Sequence, residues 1–266
     1  MCKKRQSLAV SLVGIALLIG CGAPGDQAAT SWTPPALGGT DADWQEPNAR
    51  EVLGRMTDFL ASHQFLMTEA LVSYESVQAS GQKLQFDLLQ RMAIQRPDKF
   101  FWTTVHDDGS ADSAWFADGQ FTLLRQPANV WGQIDGPHTI PAMVDRLINE
   151  YDLDVPFPEI LGPAPGTPLV DADAEAWWVG EAWVQGHWTN HIAVREPGVD
   201  IQVWVRKGDQ PFPAKLAITF MNEEGQPTYV ARFRRWSTTV PNAASQFTFT
   251  PPPNAERIEV VPVISR

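Results

Sequence analysis

Apolar residues recur at helical spacing in two stretches of the chain. The first stretch opens at Glu46-Pro47, where a proline suits the first turn of a helix, and should end near Ser62-His63. The second stretch follows Thr139, which can serve as its N-cap. Two helices that each bury one face are therefore predicted. Their apolar positions are Val52, Leu53, Met56, Phe59 and Leu60 in the first, and Ile140, Met143, Val144, Leu147, Ile148 and Tyr151 in the second.

Elsewhere the apolar period changes to two, which is typical of strands with one buried face. The clearest example is 84–95, where apolar side chains alternate with polar ones such as Asp87 and Arg91. Ser80-Gly81 lies just before it and predicts a hairpin with a strand that starts at Phe65. Ile192 and Val194 suggest a strand as well. Further strands are expected at 100–105, 114–117, 121–125, 199–205, 215–220, 228–236 and around 247–249.

Short turn signals separate these strands, so successive strands should pair antiparallel. The order is one helix, about five strands, one helix and about five more strands, with a Pro-rich loop at 162–168. Two amphipathic helices can cover only one face of such a sheet. We therefore expect an α+β fold: a single curved antiparallel sheet of about ten strands that forms an incomplete (half) β-barrel, covered on one face by two helices.

The N-terminus is typical of an exported protein. Lys3, Lys4 and Arg5 precede an apolar stretch from Leu8 to Gly20, which is too short to span a bilayer comfortably. The sequence Leu-Ile-Gly-Cys at 18–21 resembles the lipobox of bacterial lipoproteins, in which the cysteine is acylated and becomes the mature N-terminus. The alternative is an ordinary signal peptide with an incidental cysteine. We predict a signal peptide at 1–20, lipidation of Cys21, a tether at 21–45 and a domain at 46–266.

By analogy with lipoprotein sorting, Gly22 after the cysteine favours the outer membrane, facing the periplasm, although the inner membrane or the cell surface stays open. Without residues 1–20 the chain has 17 basic and 31 acidic residues, a net charge near −14. Such a chain should not bind nucleic acid, because phosphates would be repelled. Cys21 would be the only cysteine left, so no intramolecular disulfide is expected.

No motif in the sequence predicts catalysis, a metal site or a cofactor. His187 and His191 are four residues apart, but on a strand this places them roughly 13 Å apart, too far for one metal ion. There is no Gly-x-Ser-x-Gly elbow and no glycine-rich phosphate loop. Acidic pairs such as Asp107-Asp108 fall in turn signals. We therefore expect a protein that is not an enzyme and has no catalytic residues.

Three of the chain's 11 tryptophans lie close together after the Pro-rich loop, at Trp177, Trp178 and Trp183. They could form a hydrophobic edge packed under that loop. They could also form a rim of amphipathic rings at a cavity mouth or a membrane interface.

Several segments give the chain a resemblance to a known family. They are Gly81-Gln-Lys-Leu-Gln-Phe86, Arg96-Pro-Asp-Lys99, Phe116-Ala-Asp-Gly119, Val199-Asp-Ile-Gln-Val-Trp-Val-Arg206, Pro213-Ala-Lys-Leu-Ala-Ile218 and Phe247-Thr-Phe-Thr-Pro-Pro252. In order and spacing the chain resembles the predicted periplasmic proteins of the DUF2092 family. The resemblance implies a LolA/LolB-like half-barrel, the fold of lipoprotein carriers, in which sheet and helices enclose an apolar cavity for acyl chains. This chain departs from the family pattern at 189–191, where Thr-Asn-His replaces an expected Cys-Asp-His.

Together these observations predict a membrane-anchored periplasmic lipoprotein that binds or carries an apolar ligand, either an acyl chain, a lipid or another lipoprotein. One alternative is a non-catalytic structural or sensor protein of the envelope that acts through protein contacts, and a second is an unrecognised enzyme. The oligomeric state is left open. The expected cavity-lining residues are Leu84, Phe86, Leu88, Met92, Trp102, Val203, Val205, Leu216, Ile218 and Phe220.

Overall fold

The structure is a computed structural model that describes residues 46–161, residue 170 and residues 174–263. Cys21, the predicted tether and the Pro-rich loop lie outside the described residues. The first helix, α1, covers Ala49–Ser62 and buries Val52, Leu53, Met56 and Leu60 as predicted. It begins later than expected, because the Asn48 side chain accepts a hydrogen bond from Glu51 N at 3.2 Å and caps the helix. Pro47 therefore precedes the helix instead of forming its first turn.

Six strands follow α1, one more than predicted. They are β1 (Phe65–Val77), β2 (Lys83–Gln95), β3 (Lys99–His106), β4 (Ala111–Ala117), β5 (Gln120–Arg125) and β6 (Val130–Asp135). β6 escapes the alternation rule because Gly132 occupies a position where an apolar side chain would be expected. A Cβ at Gly132 would overlap the side chain of Val260, so the glycine makes room for the C-terminal segment that crosses it.

The second half of the domain begins with α2, which covers Ile140–Tyr151 as predicted. A single-turn helix, α3, follows at Pro158–Leu161. Next come β7 (Glu175–Val184), β8 (His187–Glu196), β9 (Val199–Arg206), β10 (Pro213–Phe220) and β11 (Thr228–Ser237). The chain ends with the short helix α4 (Ala243–Gln246) and β12 (Glu256–Arg257).

The strand predicted around 247–249 is wrong. That segment is not in the sheet; instead Phe249 packs its ring between Trp115 and Trp131, with centroid distances of 5.0 and 5.2 Å. Trp115 and Trp131 lie on the face of the sheet opposite the helices. The apolar residue Phe249 therefore packs on this face from outside the sheet instead of forming part of a strand. Pro251, Pro252 and Pro253 follow and donate no backbone hydrogen bonds, which further disfavours pairing.

The twelve strands of the described residues join one sheet in the order β12-β6-β5-β4-β3-β2-β1-β11-β10-β9-β8-β7. Neighbours are antiparallel except β12, which pairs parallel to β6. β12 and β7 are the two ends of the order, so the sheet is open. The predicted α+β class, with one antiparallel sheet covered on one face, is confirmed, with twelve strands in place of about ten.

We call the face of the sheet that carries the core the inner face. In β1 it presents Leu66, Ala70 and Val72, all of which are buried. The register extends this face through Met92 and Ile94 of β2 to Phe100 and Trp102 of β3. The buried sides of α1 and α2 belong to the same continuous core. The helices therefore leave the opposite, outer face to solvent and to Phe249, whereas Val260, farther along the C-terminal segment, packs against the core.

Candidate functional site

The inner face carries an apolar cleft between the helices and one half of the sheet. Its accessible volume is about 70 Å³, and it is partly open to solvent. α1 and α3 form one wall, and β8 to β11 form the other. The lining residues are Met56, Thr57, Leu60, Phe157, Ile160, Val170, Val194, Ile201, Val203, Pro213, Leu216, Ile218 and Phe233.

Thr57 is the one polar residue in this lining, and its hydroxyl is already bonded. Thr57 Oγ1 donates to Gly54 O at 2.9 Å and approaches Leu53 O at 3.2 Å, both within α1. The hydroxyl is thereby satisfied by the helix backbone, a local pattern common for threonine in helices. The cleft walls therefore present almost only aliphatic and aromatic groups to an occupant.

Phe157 shapes one side of the cleft. Its ring lies 5.0 Å from that of Phe233 on β11, between the centroids, and the residue is buried. Its backbone has a φ of 48°, which is unusual for a bulky residue. This turn precedes α3 and brings Ile160 to the same wall.

Three of the ten residues predicted to line a cavity lie in the cleft: Val203, Leu216 and Ile218. Val205 is a buried inner-face neighbour of this group, and Phe220 lies beyond Ile218 on the same face by register. The other five occupy the inner face of the opposite half of the sheet. They are Leu84, Phe86, Leu88 and Met92 on β2 and Trp102 on β3.

Around Trp102, that opposite half is filled with aromatic side chains. Phe100 stacks on Trp102 with centroids 5.1 Å apart and contacts Phe116 at 5.0 Å. Phe121 packs on Trp102 at 5.6 Å. Phe100, Phe116 and Phe121 are almost fully buried. These packed rings occupy the inner face around Trp102, which explains why Trp102 and Met92 line no cleft.

Sequence reasoning missed the wall that α1 and α3 supply. Met56 and Leu60 are predicted as part of the apolar face of a helix, but nothing in their spacing shows that they face open space. Phe157 and Ile160 fall in a segment with no periodic pattern, just before the Pro-rich loop. The backbone turns at Phe157, where φ is positive, and α3 follows this turn. A phenylalanine gives no sequence signal for such a backbone conformation.

His187 and His191 both lie on β8, as the sequence suggested. His191 Nε2 is 2.9 Å from Gln202 Oε1, and its ring stacks on Trp204 with centroids 4.1 Å apart. Burial lowers the pKa of His191, partly opposed by the Gln202 hydrogen bond, and burial also lowers the pKa of His187. In the parts of the chain that the structure describes, no three His, Cys, Asp or Glu side chains are grouped as a metal site.

The tryptophan cluster divides between core and solvent. Trp178 is partly buried against the core, and its Nε1 donates to Asn190 Oδ1 at 3.3 Å. Trp183 is 61% exposed and packs edge-on against Trp188, with centroids 5.4 Å apart. Trp177 is also exposed. One ring of the predicted cluster therefore packs on the core, and the other two face solvent.

Within the described ranges, no helix combines the length and apolar character needed to cross a bilayer. None of the curated proteins compared with this chain is significantly similar to it.

Several solved structures are similar to the chain at low identity. An uncharacterized conserved protein from Thermus thermophilus is 12% identical with a TM-score of 0.46, covering 79% of this chain and 98% of that one. The lipoprotein LppX of Mycobacterium tuberculosis is 11% identical with a TM-score of 0.43, covering 74% and 98%. A LolA superfamily protein from Nitrosomonas europaea is 6% identical with a TM-score of 0.37, covering 76% and 98%.

The family relation rests on sequence. The model of the family described as "Predicted periplasmic protein (DUF2092)" matches residues 49–261, which is nearly the whole domain from the start of α1 to the C-terminal segment. The chain therefore belongs to the DUF2092 family of predicted periplasmic proteins.

Proposed function

We propose that this protein is a membrane-anchored periplasmic lipoprotein that binds an apolar ligand in the cleft between α1 and the sheet. The observation that carries the proposal is the chemistry of the cleft wall, where the hydroxyl of Thr57 is satisfied and every other lining residue is apolar. A wall without free hydrogen-bond partners favours a ligand segment that needs none. An acyl chain of a lipid or of a lipoprotein meets this requirement.

The size of the cleft limits how much of a ligand it can take. Its accessible volume is about 70 Å³, below the roughly 300–1,000 Å³ of sites that enclose a whole drug-sized ligand, so it suits one segment of an acyl chain. Each methylene transferred from water into such a site contributes about 0.8 kcal/mol. The loss of translational and rotational freedom offsets much of this gain. A long-chain fatty acid should therefore bind in the micromolar range, near −8 kcal/mol.

The test is displacement of a fluorescent fatty-acid probe from the mature chain. Ile218→Arg places a charge inside the cleft, at a residue that is only partly buried, and should abolish saturable binding. Leu84→Arg is the matched control, because Leu84 lies on the same face of the sheet but outside the cleft. Equal binding by all three proteins, or no saturable binding by the unsubstituted chain, would contradict the proposal.

The proposed anchor is an acylated Cys21, which lies outside the described residues. Two or more acyl chains hold a protein firmly to a membrane, whereas one does so only marginally. Cys21→Ala should release the protein into the soluble fraction or leave it unprocessed. The expected intact mass begins at Cys21 and includes the acyl groups; an unmodified N-terminus at another residue would exclude the anchor. The outer membrane is the proposed location, from Gly22.

A second candidate is a non-catalytic envelope protein that acts through protein contacts. The observation that favours it is the exposed pair Trp183 and Trp188, because large exposed aromatic groups are common at protein interfaces. Under this alternative, Trp183→Ser would impair partner binding while Ile218→Arg would not. Co-purification of a partner with the Ile218→Arg variant but not with the Trp183→Ser variant would favour it over lipid binding.

A further inference from the structure

The outer face of the sheet carries a group of cations in its middle, across strands β2, β1, β11 and β10. We call it the cationic patch and define it as Arg91, Lys215, Arg232, Arg234 and Arg235. All but Lys215 are exposed. This concentration is notable in a chain with a net charge of −11.

The patch contains one carboxylate, Glu69, which is shared between two of the arginines. Its oxygens lie 2.9 Å from Arg91 Nε and 3.9 Å from Arg234 Nη1. In register, Glu69 is also the partner of Arg235. The next carboxylate on this face is Asp87 of β2, which accepts a hydrogen bond from Ser73 at 2.6 Å. The patch therefore keeps an excess of positive charge.

The positions of Lys215 and Arg232 in this patch disfavour folding. The two residues are direct cross-strand partners on β10 and β11, and like charges in such positions destabilise a sheet. Burial lowers the pKa of Lys215, and the charge of Arg232 lowers it further. Within the described part of the chain, neither side chain is in an ion pair with a carboxylate.

An aromatic ring supports Lys215, and an apolar residue lies beside Arg232. Lys215 Nζ lies 4.0 Å from the centroid of the Trp204 ring, on which the His191 ring also stacks. On the other side of Arg232, its partner on β1 is Leu71, an apolar side chain that is 37% exposed. The row thus combines an aromatic support, two cations and an exposed apolar residue.

We infer that the cationic patch is a docking surface for the anionic phospholipid headgroups of a membrane. A phosphate group between Lys215 and Arg232 would neutralise their mutual repulsion with charge-assisted hydrogen bonds. Leu71 would meet the less polar layer below the headgroups. The patch is about 15 Å wide, since it spans four neighbouring strands.

Two features favour a lipid surface over an acidic polypeptide. Strands β1, β10 and β11 are paired on both sides, so a peptide cannot add to them as an extra strand. Moreover, 27 residues separate Cys21 from Ala49, and whatever their conformation they reach no farther than about 95 Å. The proposed anchor would therefore keep the start of the domain within that distance of a bilayer. The inference rests on that anchor only for this proximity and does not depend on the cleft.

The experiment measures binding of the mature chain with Cys21→Ser, which cannot be acylated, to vesicles. One set contains phosphatidylcholine alone, and the other is one-third phosphatidylglycerol. Binding is expected only to the anionic vesicles and should weaken as salt is raised. Lys215→Gln with Arg232→Gln should weaken it roughly 30-fold, at about a fivefold loss per cation. Ile218→Arg should bind the vesicles normally, which separates this surface from the ligand cleft.

The matched control is Lys83→Gln with Arg195→Gln, which changes the net charge equally. Lys83 and Arg195 are exposed cations outside the patch, already paired with Glu75 and Asp200. Equal losses in the two double variants would overturn the inference, because net charge alone would then explain the binding. Absence of binding to anionic vesicles would also overturn it. So would binding of soluble polyglutamate or inorganic phosphate through Lys215 and Arg232 without vesicle binding.

Discussion

Phe157→Ala is the substitution that most directly probes how the cleft is built. Phe157 is only 3% exposed, packs on Phe233 at 5.0 Å and lines the cleft with its remaining surface. Buried phenylalanine-to-alanine changes cost about 3–5 kcal/mol. Because one side of the ring faces the cleft instead of packed atoms, we expect a loss near the lower limit, about 3 kcal/mol. Alanine keeps a Cβ at the same positive φ, so the backbone contribution should not change.

The assay is urea unfolding of the mature chain with and without a long-chain fatty acid. At 100 times its Kd, a ligand bound only by the folded state adds about 2.7 kcal/mol to the free energy of unfolding. Without ligand, the variant should be less stable than the unsubstituted chain. Added ligand should raise its free energy of unfolding by at least as much as it raises that of the unsubstituted chain. Phe249→Ala is the control, because its ring packs on the outer face between Trp115 and Trp131. It should lose stability but gain the same amount from the ligand as the unsubstituted chain. A loss below about 1 kcal/mol for Phe157→Ala would refute the described packing of this wall.

Three further outcomes are expected. Gly132→Ala should destabilise the domain by about 1–3 kcal/mol, because the new methyl group overlaps Val260. Val260→Ala should restore part of this loss in a double variant. A double variant that is no more stable than Gly132→Ala in thermal unfolding would contradict the path of the C-terminal segment. Arg232→Gln should leave the free energy of unfolding unchanged or raise it by a few tenths of a kcal/mol, because it removes repulsion with Lys215. A double-mutant cycle should show that any gain in stability needs Lys215. A gain that is independent of Lys215 would exclude repulsion between the two residues. The pKa of His191 is lowered in the folded state, so the unfolded state binds more protons as the pH falls below the usual histidine pKa. The free energy of unfolding should therefore fall on acidification from pH 7 to about 5, and it should fall less steeply in His191→Gln. Equal slopes in denaturant titrations at several pH values would contradict the pKa shift.

The sequence alone was enough for the elements whose side chains obey a simple period. α2 occupies Ile140–Tyr151 as predicted, and β2 places Leu84, Phe86, Leu88 and Met92 on one face by register. β6 was missed because Gly132 serves a contact with Val260, which lies 128 residues later in the chain. Long-range contacts of this kind leave no periodic signal.

The cleft shows the same limit from the functional side. The alternation of β2 and β10 is equally regular, so periodicity gave Phe86 and Ile218 the same expected role. They differ because Ile218 faces the cleft beside α1 and α3, whereas Phe86 lies near the hairpin end of β2, where its ring stacks on Tyr74 with centroids 5.6 Å apart. Which of two equally regular positions faces a cleft depends on how distant elements pack, and single positions in a sequence do not carry that information.

Native mass spectrometry of the protein, extracted gently from its own membrane, tests the central claim most directly. The account predicts a population that carries a non-covalently bound lipid in addition to any acyl groups at Cys21, and predicts that Ile218→Arg loses the bound lipid while Leu84→Arg retains it. An unsubstituted protein that is free of non-covalent lipid, or one whose bound lipid is retained equally by Ile218→Arg, would contradict the assignment of the cleft as a ligand site.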